Sequence, residues 1–176
     1  MNLANPKTPR PGSRDDFIMR AAAQDLAPEV QRWSKAGNGD DNLDQITVDL
    51  RRALDRCIDL DGYQLARELD RIGWEADAEL VEIMDGASGA VYKCHKAACI
   101  EWVQIEGMQP PLIGAAVRIA DERVAKRRNA EGLVGNIVAN HPEGTSTVSF
   151  KDLGHSEKPG PGGGIIGFVL PWEELK

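Results

Sequence analysis

Aromatic side chains make up only 5% of this 176-residue chain, and cysteine occurs three times, at Cys57, Cys94 and Cys99. Three scattered thiols cannot form a disulfide framework, so free thiols in a reducing, cytoplasmic compartment are the expectation. No run of eighteen apolar residues is present to cross a bilayer, and no membrane partner is expected. The opening MNLANPKTPRPGSR has no apolar segment behind a basic start. It therefore reads as neither signal peptide nor anchor, but as a disordered tail over residues 1–14.

Apolar residues at 41% and charged residues at 28% are what a globular chain of this length needs to bury one sizeable core or two small ones. The formal net charge of −7 lies wholly in one part. Residues 1–106 hold 13 bases against 20 acids, whereas residues 107–176 hold 8 of each. Within the first part, residues 40–85 carry 14 acids and 5 bases, a balance of −9.

Hydrophobic period assigns the first part to helices. Leu43, Ile46, Leu50, Ala53, Leu54 and Cys57 recur at helical spacing after Asp40 and Asp41. A second helix starts at an Asp61 N-cap, buries Tyr63, Ala66, Leu69 and Ile72, and stops at Gly73. A third places Ala76, Leu80, Ile83 and Met84 inward, with Glu75, Glu79 and Glu82 on another face. A fourth runs from Ser88 to about Gln104, with Val91, Cys94, Ala98 and Trp102 inward. An earlier helical piece begins near Ser13, where Ser13 and Asp16 have capping-box spacing, and breaks at Pro28. Trp102 and Met84 are expected in the helical core, and Trp172 is expected to close the later part or meet the helices.

The character changes at Pro110-Pro111, after which valine and isoleucine dominate the apolar positions. Residues 112–120, 132–140, 145–150 and 164–170 read as short strands separated by turn chemistry. The expected class is α+β: an acidic helical domain at 15–106, a linker at 107–111 and a small β-barrel at 112–176. The order of strand, charged loop, the strand from Gly132 to Val138, short turn, strand, glycine loop and a last strand ending at Val169-Leu170-Pro171 resembles the SH3-like barrels. Of the bulky aromatics that line the groove of peptide-binding SH3 domains only Phe150, Phe168 and Trp172 are present, so proline-peptide binding is not expected. The stretch DGYQLARELDRIGWEADAELVEIMD resembles uncharacterised phage or prophage proteins, a likeness that implies no activity.

Gly162 to Gly167 spell G-x-G-x-x-G, yet a dinucleotide fingerprint needs a following helix and an acidic residue about twenty positions on. Here a β-branched stretch and Pro171 follow, so the segment reads as a hairpin loop, with Gly167 allowing a bulge or close packing in the last strand. Cys94, His95 and Cys99 share one predicted helix but lack a fourth ligand and a loop knuckle, so no metal is expected. No catalytic residue and no cofactor are expected either.

Two surfaces remain. Glu75, Glu79, Glu82 and Asp85 form the clearest acidic row, suited to a basic protein partner such as a nucleic-acid-binding protein. Arg123, Lys126, Arg127 and Arg128 form a basic cluster in an expected loop. Interleaved aromatics are missing there, so direct nucleic-acid binding is not expected. The expected function is a non-catalytic protein-binding regulator or inhibitor. The alternative is a nucleic-acid-binding accessory factor that uses the basic loop.

Overall fold

The computed structural model describes residues 6–36, 42–155 and 167–176. The layout is α+β, with helices dominating the N-terminal part and a curled four-stranded antiparallel sheet at the C-terminus. Two compact units emerge, one spanning Pro11–Ala98 and one combining Cys99–Lys176 with the residues up to Arg10. Among the described residues, no helix is long and apolar enough to cross a membrane.

The first unit holds α1 (Asp16–Ala36), α2 (Leu43–Arg56), α3 (Gly62–Asp70), α4 (Ala78–Asp85) and most of α5 (Ala87–Ile105). Each of the three shorter helices starts on a side-chain cap. Asn42 accepts from the backbone of Asp44 and Gln45, Asp61 from Gln64 and Asp77 from Leu80, satisfying N–H groups that a helix start leaves orphaned. The Arg14 guanidinium donates to the carbonyls of Leu54 and Cys57, at 2.9 and 2.7 Å, and to that of Ile58, closing the C-terminal end of α2.

α1 differs from the expectation. It begins at Asp16, after Asp15 accepts from the Gly12 N–H at 2.8 Å, and it runs through Pro28 without a break. An internal proline costs about 3 kcal/mol or more. Here Ile18, Met19, Ala22, Ala23, Leu26, Ala27 and Val30 are all buried on one stripe, so breaking the helix would expose one half of that stripe. The stripe of α3 is also rotated from the expectation. Leu65, Ala66 and Leu69 are buried, while Tyr63 is 64% exposed, because Gly62 and not Tyr63 is the residue packed against α4.

In the second unit β1 (Ala116–Val117), β2 (Gly135–His141), β3 (Thr145–Ser149) and β4 (Phe168–Pro171) pair in sequence order, all antiparallel. The sheet curls further through a bridge between Ile119 and Leu175, flanked by reciprocal Arg118–Lys176 backbone hydrogen bonds of 2.8 and 3.0 Å. A short 3-10 turn at Trp172–Glu174 separates β4 from this last pairing. Val117, Ile119, Ile137, Val148, Phe150, Leu170 and Leu175 fill the interior. The expected charged loop after β1 is instead a helix, α6 (Glu122–Arg127), with Asp121 as its cap. Residues 162–166 of the glycine-rich stretch lie outside the described residues. Gly167 approaches β3 closely, since a Cβ there would come within 2.7 Å of the Val148 carbonyl.

Met84 lies in the helical core as expected, but Trp102 does not. It packs with Val103, Met108 and Trp172 in a separate cluster of the second unit. Its indole N–H donates to Thr8, whose neighbour Lys7 donates its backbone N–H to Glu106 at 2.6 Å. The Arg10 guanidinium lies over the Trp102 ring and donates to the Glu143 and Gly144 carbonyls. Residues 7–10 are therefore tied into this unit.

Candidate functional site

α1 and α4 present Glu29, Arg32 and Trp33 from one side and Glu79, Glu82 and Ile83 from the other, around a groove of about 370 Å³. The helices reach this placement by burying Leu26 and Val30 of α1, and Leu80 and Met84 of α4, in one core. The groove residues are the neighbours of those positions on the adjoining helix faces. Trp33 is held on both sides. Its indole N–H donates to Asp77 Oδ1 at 3.0 Å, the same oxygen that caps α4 through the Leu80 N–H. Its ring stacks on Trp74, with centroids 6.0 Å apart and planes 12° from parallel. Trp74 in turn donates to Asp49, a buried carboxylate that also accepts from Gln45.

Of the acidic row, the structure brings Glu79 and Glu82 together in the groove. Glu75 sits exposed in the connection before α4 and does not line it. Asp85 ends α4 with its carboxylate against Gly62, at the start of α3. Glu29, the third acid of the groove, falls outside the window of acidic excess. Its signal in the sequence is its i,i+4 spacing from Trp33 on α1, which places both on one face but does not say that α4 lies beside them.

A larger groove of about 590 Å³ lies along α1 and α2. Its three arginines are already paired with carboxylates, Arg20 and Arg51 with Asp16, Arg51 also with Asp55, and Arg52 with Asp49. That leaves little net field for a charged ligand. By contrast, the α1–α4 groove sets three carboxylates against one guanidinium.

The basic cluster divides. Arg127 and Arg128, with Val124, line a cavity of about 280 Å³ shared with Val169, Leu170, Pro171 and Glu174, whereas Arg123 and Lys126 are exposed and do not line it. Arg128 stacks on Phe168, 4.9 Å from the ring centroid. Burial, together with the Glu173 and Asp121 carboxylates, raises Glu174 above the ordinary glutamate range. The folded group thus holds its proton more tightly than the unfolded one. Its contribution favours folding most below the ordinary glutamate pKa and is lost as pH rises through the raised value. Replacing Glu174 with glutamine should therefore increase the melting temperature at neutral pH and flatten its fall across that window. A variant less stable than the parent at neutral pH would refute this.

Burial is the largest cause pushing all three thiols up, and Cys57 and Cys99 are buried. A raised thiol is a poor nucleophile at neutral pH. His95 lies 3.0 Å from the Pro11 carbonyl. Among the described residues, no group of three or more His, Cys, Asp or Glu is placed to hold a metal ion.

No protein-family model, curated protein or solved structure matches this chain. The functional reading therefore rests on the geometry above.

Proposed function

We propose that the protein is a non-catalytic binding module, a regulator or inhibitor that engages a lysine- or arginine-bearing segment of a basic partner in the α1–α4 groove. The observation that carries this reading is the convergence of Glu29, Glu79 and Glu82 from two helices around the anchored Trp33 ring. A cation entering such a groove gains charge-assisted hydrogen bonds from the carboxylates and the attraction of an indole face, worth about 0.5–2 kcal/mol. A tryptophan already fixed by a stack and a hydrogen bond loses little side-chain freedom on binding.

In the second unit the same reading takes the curled sheet as an SH3-like barrel. The 3-10 turn after β4 and the Ile119–Leu175 bridge support it, because they return the last described residues to the segment that follows β1. The nucleic-acid alternative has less behind it. The aromatic ring beside the basic cluster, Phe168, is already covered by Arg128, and a base would have to displace that stack.

The test uses a labelled peptide alternating arginine with glycine and two charge-matched variants. The first is Glu29→Lys/Glu79→Lys/Glu82→Lys. The second is Asp59→Lys/Asp70→Lys/Glu75→Lys, which changes net charge equally at exposed positions outside the groove. At about 1 kcal/mol for each reversed rim charge, the first should weaken binding by roughly two orders of magnitude and the second far less. Equal losses in both would show that only net charge attracts the peptide, and the groove reading would fall.

A further inference from the structure

β4 is paired on one edge only. Thr145, Ser146, Thr147 and Val148 of β3 face Pro171, Leu170, Val169 and Phe168, and among the described residues no strand lies against the other edge. An open edge directs the N–H and C=O groups of alternate residues outward and is a template for another extended chain. Natural proteins blunt such edges with short strands, with proline, or with lysine or other charges on the strand itself, and this four-residue strand has the first two but no charge. This strand reads Phe-Val-Leu-Pro, with Val169 52% exposed and a proline only at its end.

α6 runs beside this strand. Val124, Arg127 and Arg128 form one wall of the 280 Å³ cavity and Val169, Leu170 and Pro171 form the other. The cavity thus pairs backbone hydrogen-bonding capacity with an apolar floor at Val124 and Val169, and with two guanidinium groups at the end of α6. Arg127 is exposed and has no ion-pair partner among the described residues. Glu174, also on the lining, carries the opposite sign and disfavours an acid at its own end.

We propose that this groove is a second binding site, independent of the α1–α4 groove, which takes an extended acidic peptide by strand addition to β4, with a carboxylate of the peptide on Arg127 and Arg128. The mode has a defined division of labour. Main-chain hydrogen bonds to β4 supply affinity without regard to sequence, and the side chains that point into the groove set the preference. Period-2 geometry puts every second peptide residue on the same face, so the apolar residue that meets Val124 and Val169 and the acidic one that reaches the arginines stand two positions apart. The bidentate fork of arginine suits a carboxylate better than a single ammonium would. Pro171 lacks an N–H and limits the added strand to a few residues, so a short motif fits better than a long strand.

The experiment measures fluorescence anisotropy of a labelled octapeptide, two repeats of Val-Ser-Asp-Ser, which sets valine and aspartate on one strand face, against the full chain. Binding should weaken roughly tenfold for Arg127→Glu, and by a similar factor when the aspartates are replaced with lysines. Methylating alternate peptide amides should abolish it, because strand addition depends on those donors. Glu174→Gln should tighten it, which gives a gain-of-binding readout that a misfolded variant could not produce. The Glu29→Lys/Glu79→Lys/Glu82→Lys variant should bind this peptide no worse than the parent protein, so failure here and failure of the α1–α4 reading are separable. Equal affinity for the lysine peptide, or full tolerance of N-methylation, would overturn the proposal. So would protection from hydrogen exchange, in the free protein, of a β4 amide that points away from β3, which would mean that another part of the chain occupies the edge. Retention of a single-stranded oligonucleotide through Arg127 with no peptide binding would likewise overturn it.

Discussion

Truncating Trp172 to alanine is expected to destabilise the protein by about 3–5 kcal/mol, the range for removing a buried indole. The ring is 3% exposed and packs in one buried cluster with Trp102, Val103 and Met108. Its indole N–H donates to Ser146 Oγ at 2.9 Å, the Ser146 hydroxyl donates in turn to Asn140 Oδ1, and Asn140 donates to the Pro111 carbonyl at 2.8 Å. Trp172→Phe separates the two contributions. It keeps most of the apolar contact and removes one donor, so it should cost only about 1–3 kcal/mol, the range for leaving a buried acceptor unsatisfied. Urea unfolding followed by far-ultraviolet circular dichroism measures both without relying on tryptophan emission. Unchanged stability of Trp172→Ala would place the ring at the surface and contradict this packing.

Gly62→Ala is the second large effect, and its sign follows from comparing two magnitudes. In a helix, alanine is intrinsically better than glycine by about 0.5–1 kcal/mol, so propensity alone forecasts a gain. A Cβ at Gly62, however, would lie 2.7 Å from both the Asp85 backbone nitrogen and the Val81 carbonyl oxygen of α4, in addition to meeting the Asp85 carboxylate. Backbone atoms of a packed helix cannot rotate away, so α3 and α4 must separate. Overpacking of this kind costs about 1–3 kcal/mol and occasionally more. The collision outweighs the propensity, and a net loss is expected in the same unfolding assay. A more stable Gly62→Ala protein would show that α3 and α4 do not approach as closely as described.

Gly62 also shows why the sequence was legible only in part. Period alone places Leu43, Ile46, Leu50, Ala53, Leu54 and Cys57 on one stripe, and the last five are buried, whereas Leu43 in the first turn of α2 is 41% exposed. The Asp61 cap was equally plain, because it depends on one side chain and the next turn. Which residues of α3 face inward was not, since the stripe beginning at Tyr63 assumes a neighbour that the close approach at Gly62 moves aside. The same limit hid the groove. Glu79 and Glu82 are neighbours along one helix and can be read off, but Glu29 and Trp33 join them only because α1 packs beside α4. Pro28 misled through a local rule that the buried stripe on either side of it overrides. α6 shows no period in the sequence because six residues are too few to display one, although its Asp121 cap is a local signal.

The β-rich half follows the same division. Turn residues and β-branched runs located β2 and β3 closely, because strand composition and chain reversal are local properties. The bridge from Ile119 to Leu175 joins residues more than fifty positions apart and leaves no local trace. The open edge of β4, and the arginines that α6 sets beside it, depend on that long-range curl and could not be read from the basic cluster alone.

The central claim, that a cationic segment binds between α1 and α4, is tested most directly by a nitrogen-labelled NMR titration with the arginine–glycine peptide. The indole N–H signals of the four tryptophans serve as reporters. The account predicts that the Trp33 indole signal, tied to Asp77, and the backbone amides of Glu79 and Glu82 shift together. The shifts should shrink as added salt lowers the screening length below about 8 Å. Unmoved Trp33 and α4 signals while the amides of Arg123–Arg128 shift, or shifts indifferent to salt, would contradict it.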